Sequence, residues 1–220
     1  MTTSKMRPAL WSAVVAAALL LAGCGDLLPK PTPQPATYAI DSVPTPGTAQ
    51  RRPVPASSAA ASAPTLVINA PQAATGYDSR RILYTREPHR RQYFAQNQWI
   101  DTPARMLEPL LVKAIDDTRA FRAVVQAPSG ADGQLRLDTE IVRLEHDFSV
   151  TPSRVLFSLR ATLVAHDSRN VIAVRQFDQA VPSASEDPYG GVVAANAAVQ
   201  AALADLAAFC ADTAATAQRR

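Results

Sequence analysis

Histidine, cysteine and glycine are scarce in this chain: three, two and eight among 220 residues. Each shortage removes a class of chemistry. Two cysteines allow at most one disulfide, too few for a stapled scaffold, and there is no C-x-x-C pair for zinc or redox work. The eight glycines form no phosphate-cradling loop. Gly190-Gly191 opens the last helix but brings no lysine, and no G-x-S-x-G is present. Of the histidines, His89 lies among arginines, a poor setting for a metal cation. His146-Asp147 and His166-Asp167 each look like half of an acid–base or metal site. If the two strands carrying them pair as a hairpin, opposed residue numbers sum to about 302. His146 then faces Leu156 and His166 faces Arg136, roughly 30 Å apart. They cannot share a metal, and both read as polar strand ends. Cys210 lies near a helix C-terminus on an apolar stripe, without the base or the positive helix end that activates a thiol. It reads as a small buried hydrophobe.

Net charge is also in short supply. The formal +3 contains Lys5 and Arg7 at the extreme N-terminus; the remainder has 20 basic against 19 acidic residues. A near-neutral body lacks the electrostatic footprint of a nucleic-acid binder, so no nucleic-acid partner is expected.

What is present begins with that N-terminus. Lys5 and Arg7 precede an apolar run from Leu10 to Ala22, which ends in Leu21-Ala22-Gly23-Cys24. A cationic start, a short apolar core and small residues at the cut site make a secretory signal. The run is too short, and too interrupted by Ser12 and Gly23, for a spanning helix. The quartet ending in cysteine resembles the lipobox of bacterial lipoproteins. That resemblance implies cleavage before Cys24 and attachment of diacylglycerol and acyl chains there, with no other cofactor. Residues 1–23 are then a signal peptide.

Residues 24–64 read as a tether. Nine of the eighteen prolines lie between Pro29 and Pro64, with alanine, serine and threonine between them. Such a stretch buries too little apolar surface to fold alone, and proline keeps it extended. Tyr38-Ala39-Ile40 is a candidate short strand within it. A domain follows over 65–211, with a flexible tail at 212–220. Thr65–Asn69, Arg81–Arg86 and Arg91–Gln98 read as strands, the last two around a turn at Glu87-Pro88-His89-Arg90. Thr102 and Pro103 start a helix whose Met106, Leu107, Leu110, Leu111, Ala114 and Ile115 form one stripe. Pro109 either bends that helix or marks its true start. Phe121–Ala127, Gln134–Phe148, Arg154–His166 and Val171–Val181 read as strands, with a phase change near Ile141 that implies a bulge. The last helix runs from about Pro188 to Ala211, with Val192, Asn196, Val199, Leu203, Leu206 and Cys210 on one stripe. The element order predicts an α+β fold: a mixed, largely antiparallel sheet with both helices packed on one face.

The most unusual segment is 76–105, where Tyr77, Tyr84, Tyr93, Phe94 and Trp99 interleave with arginines. Aromatics and arginine are enriched in interface hot spots. Arg80, Arg81, Tyr84, Arg86, Arg91, Tyr93 and Trp99 are therefore candidate partner-binding residues, for a protein or for lipid headgroups. The alternative is a solvated charged hairpin whose aromatics enter the core.

The run Tyr77-Asp78-Ser79-Arg80-Arg81-Ile82-Leu83-Tyr84, then Tyr93 to Trp99, then Thr102-Pro103 into an amphipathic helix, resembles the ABC-type transport auxiliary lipoproteins, the group that includes the PqiC/YmbA-like proteins. The resemblance covers roughly 38–211; the Pro/Ala/Ser stretch at 44–64 looks like an insertion. It implies a fold similar to the N-terminal domain of TolB. It also implies a non-catalytic accessory role in an Mce-type lipid transport system, whose partners are an Mce-domain protein and inner-membrane ABC subunits. By the sorting rule of enteric bacteria, Gly25 implies delivery to the outer membrane with the domain facing the periplasm; Asp26 leaves inner-membrane retention open. Homo-oligomerisation also stays open. Two rivals remain at this level: a structural envelope lipoprotein or activator of a peptidoglycan synthase, and a periplasmic hydrolase using His146-Asp147 or Cys210.

Overall fold

The computed structural model describes residues 34–41, 63–129 and 133–217. Its central element is β7 (Leu135–Asp147), a strand long enough to serve as a spine. On one side β7 pairs antiparallel with β8 (Arg154–Ala165), which pairs antiparallel with β9 (Val171–Pro182). On the other side three parallel partners follow one another along it: β2 (Thr65–Ile68), β3 (Gln72–Ala73) and β4 (Arg81–Glu87). β2 continues to β6 (Ala123–Gln126). β4 forms a hairpin with β5 (Arg90–Trp99), and β5 takes β1 (Ala36–Tyr38) as a parallel neighbour. The mixed, largely antiparallel sheet of the sequence reading is thus present. The short N-terminal strand occupies 36–38 rather than 38–40. The two-residue β3 gives no signal in the sequence.

Two helices, α1 (Pro103–Asp116) and α2 (Pro188–Ala217), share one core with the sheet. In α1, Met106, Leu107, Leu111 and Ile115 are buried, as their spacing requires. Pro103 takes the first helical position. Thr102 has extended cap geometry, but its side chain makes no capping bond; instead its amide donates to the Asp101 carboxylate at 2.8 Å. Pro109 is exposed and sits inside the helix without ending it.

Helix α2 extends six residues past the expected end at Ala211. The stripe continues there: Ala214, one turn beyond Cys210, is buried. Thr213 and Thr216 return their hydroxyls to the carbonyls of Phe209 and Asp212. α2 is long and apolar enough to cross a bilayer. Its Val192, Val199, Leu203 and Leu206 are buried in the core.

In β8, Val155, Phe157, Leu159, Ala161 and Leu163 point toward the helices and are all nearly inaccessible. The expected bulge lies in β7 between Ile141 and Arg143. It returns Leu144 to the core face that Leu137 and Ile141 already occupy. The hairpin register corrects the sequence reading. His146 faces Val155 rather than Leu156, and Arg136 faces Val164 rather than His166. The shift is one residue at His146 and two at Arg136, beyond the bulge; because strand side chains alternate, the single-residue shift turns His146 to the core face. It is 2% exposed, not a solvated strand end.

Candidate functional site

The β4–β5 hairpin distributes the seven candidate partner-binding residues over different surroundings. Thr85 is paired with Arg91 and Leu83 with Tyr93, so Arg91 and Tyr93 share the face of Thr85. Arg81 joins them, its guanidinium 4.9 Å from the Tyr93 ring centre. Tyr84 and Arg86 point the other way. Tyr84 packs on Phe94 and Phe148 with ring centres 4.5 and 5.9 Å away. Arg86 lies over Tyr84 and Phe148 at 5.6 and 5.2 Å. Trp99 is 3% exposed and belongs to the core. Arg80 is tied to the backbone, its Nε donating to the Trp99 carbonyl at 3.0 Å. The set therefore divides between the two faces of the hairpin and does not form one surface. Cys24 lies outside the described residues.

On the face of Arg91 the structure gathers residues that the sequence reading did not single out. Glu145 is buried. Its Oε2 accepts from Arg91 Nε and from the Tyr77 hydroxyl, both at 3.2 Å, and its Oε1 pairs with Arg143 Nε at 3.2 Å. Burial and then the Glu145 charge push the Tyr77 hydroxyl above its ordinary range. The hydrogen bond to Glu145 holds the Arg91 guanidinium above its own. Asp147, two residues on, is also buried. Burial alone would raise its carboxyl, but bonds from the Ser149 hydroxyl and amide and from Arg154 Nε hold it below the usual carboxylate range. A sequence signal existed: Arg143, Glu145 and Asp147 alternate along one strand, which puts three charges on a single face.

On the opposite face, His146 forms an arrangement that resembles acid–base machinery. Its Nε2 lies 2.9 Å from both Ser153 Oγ and Ser183 Oγ. Ser153 is fully buried, and no acid orients the imidazole: Nδ1 is buried without a partner. A Cβ on Gly191 would overlap the imidazole, so this glycine lets the start of α2 close over it. Burial holds His146 below its ordinary pKa, against the opposing charges of Glu186, Asp147 and Asp187. The cluster is a packed lock between β7, the β8 entry and α2, with no room for a substrate. Cys210 is likewise sealed; burial pushes its thiol up to about 12. Among the described residues no group of three or more acidic, histidine or cysteine side chains stands close enough to hold a metal ion.

Clefts of similar size open on the surface of the described residues. One of about 320 Å³ is polar, between Asn69, Gln72, Asp138, Glu140 and Arg160. One of about 300 Å³ runs between the helices and is mainly apolar, with Leu110, Ala114, Leu203 and Ala207. The third, about 290 Å³, lies beside the Glu145 cluster at the turn of the hairpin.

Comparison with known proteins gives this geometry a context. No curated protein matches the chain. A crystal structure of a protein from Xanthomonas campestris is 25% identical, with a TM-score of 0.66 over 71% of this chain and 89% of that one. A second crystal structure, of an uncharacterised protein, is 14% identical with a TM-score of 0.55, covering 66% and 91%; it bears on the fold alone. A family model described as the ABC-type transport auxiliary lipoprotein component matches residues 48–208, well over half of the chain. The chain belongs to this family of ABC-type transport auxiliary lipoprotein components.

Proposed function

We propose that this protein is a lipid-anchored, non-catalytic docking component of an Mce-type ABC lipid transport system. It is held to the periplasmic side of the outer membrane by diacylglycerol and acyl chains on Cys24, and its domain faces the inner-membrane transporter. The family match over 48–208 carries the reading. The lipobox supplies the anchor, because several acyl chains on one residue give stable membrane residence. The proline-rich stretch before the domain supplies reach. The sealed state of His146, Ser153 and Cys210 agrees with a role that makes no use of chemistry.

The test is affinity capture of tagged protein from gently solubilised membranes, with partners identified by mass spectrometry. An Mce-domain protein and its ABC subunits are expected, lost from the double variant Arg81→Glu, Arg86→Glu, which changes an exposed arginine on each face of the hairpin. Cys24→Ser is expected to release the protein from the outer-membrane fraction. Recovery of a peptidoglycan synthase instead, or retention of Cys24→Ser in that fraction with function intact, overturns the reading.

A further inference from the structure

The cleft at the turn of the β4–β5 hairpin opens on the face of the sheet turned away from the helices, and two arginines and two buried carboxylates line it. Thr85, His89, Arg91, Arg143, Glu145 and Asp147 are among its walls. One cation suffices to neutralise a buried carboxylate; Glu145 has two, Arg91 and Arg143, each engaged through Nε at 3.2 Å. The group therefore carries a net positive charge. The carboxylate acts as a fixed post that orients both guanidinium groups, and the two arginine side chains remain 55% and 42% exposed. Asp147 is occupied from within the protein: Ser149 takes one oxygen and Arg154 Nε the other at 3.1 Å. Its charge is already met. The Thr85 hydroxyl is buried and has no hydrogen-bond partner, and Thr85 lines this same cleft. An orphaned hydroxyl beside two oriented guanidinium groups is a donor set lacking an acceptor.

We propose that this cleft binds a phosphate-bearing anion, with Arg91 and Arg143 as a two-armed clamp and the Thr85 hydroxyl as a third donor. Guanidinium groups present their N–H pairs in a fork that matches phosphate oxygens. The cleft has room for a phosphate and the small group attached to it. A phospholipid headgroup and a free phosphate share this chemistry. The inference does not rest on the docking role, since it is read on purified protein with no transporter present.

The experiment is calorimetric titration of the full lipoprotein in a neutral detergent. One arm uses inorganic phosphate. The other uses short-chain phosphatidylglycerol below its micelle concentration. Saturable binding is expected, weakened about tenfold by Arg143→Gln or Arg91→Gln, since each removes charged hydrogen bonds. Thr85→Val should weaken it several-fold. Arg160→Gln, in the separate polar cleft with Asn69 and Asp138, should leave it unchanged. Circular dichroism establishes that each variant is folded; if Arg143→Gln is not, Arg143→Lys keeps Glu145 neutralised and should still weaken binding. Binding of the lipid, tighter than of phosphate and lost in the arginine variants, assigns the site to a headgroup. Binding of phosphate without gain from the lipid assigns it to a small phosphate compound. No binding in either arm, or binding that the arginine and Thr85 variants leave intact, overturns the proposal.

Discussion

At the scale of single residues, His146 shows how much depends on strand parity. Its neighbour Asp147 faces away from the helices and is held by Arg154, while His146 faces inward against Ser153, Ser183 and Gly191. Type and spacing alone made the pair look like half a catalytic site; a one-residue register error hid which of the two side chains faces the helices. Burial keeps the folded imidazole neutral to lower pH than in the unfolded chain. The unfolded state therefore binds more protons below the ordinary histidine value of about 6.5. Stability should fall as pH drops from about 6.5 toward the depressed folded-state value, by at most ~1.4 kcal/mol per pH unit, and this contribution levels off below that. Carboxylates held low, Asp147 and Asp178 among them, shift stability in the same direction but only in the more acid carboxylate range. Urea unfolding at pH 7.5, 6.5 and 5.5 separates the two: His146→Gln should lack the slope seen between the lower two points in the native protein. Equal slopes would remove the account.

At the scale of elements, legibility followed periodicity. Strand β8 was plain because five alternate positions, Val155 to Leu163, are apolar and all are buried. The bulge in β7 was visible as a change of phase. β3 was invisible because two residues carry no period, and the end of α2 was misplaced because Ala211–Ala217 is poor in large apolar residues. Its continuation rests on Ala214 and on threonine hydroxyls returned to the backbone. Pro109 posed a choice between a bend and a helix start, and the helix runs through it. The cost remains, since proline removes one backbone hydrogen bond and crowds the preceding turn. Pro109 is exposed and contributes little packing. Pro109→Ala should therefore stabilise the protein, by about 1–3 kcal/mol on helix propensity scales, as a higher urea midpoint with unchanged slope. A lower midpoint would mean that Pro109 holds the geometry of the 102–108 turn in a way its exposure does not reveal.

At the scale of the whole molecule, the layered α+β architecture was legible from element order, but the packing of segment 36–41 against α2 was not. Asn196 was read as one more position on the α2 stripe. Its Nδ2 instead donates to the Ala39 carbonyl at 3.1 Å, and its Oδ1 accepts from the Asp41 amide at 2.9 Å. Just upstream, the Ile100 amide donates to the Tyr38 carbonyl at 2.7 Å, and Ile40 is buried with its amide 3.4 Å from Met106 Sδ. The segment 36–41 thus joins β5, α1 and α2, although its composition marks it as part of the tether. No local pattern announces such a contact, because its partners lie up to 157 residues away. A chain beginning at Ala63 would leave the β5 edge unpaired, empty the Ile40 position and strip Asn196 of two partners. A chain beginning at Gln34 would keep all three. Loss of one buried isoleucine alone costs about 2–5 kcal/mol, so the shorter chain should unfold at clearly lower urea and be the more prone to aggregate through its open edge. Asn196→Ala in the longer chain should give a smaller loss, about 0.5–1.5 kcal/mol, from hydrogen bonds lost at half-buried and exposed groups. Equal stability of the two chains would show that residues 36–41 rest on the domain without supporting it, and the fold would then begin at β2.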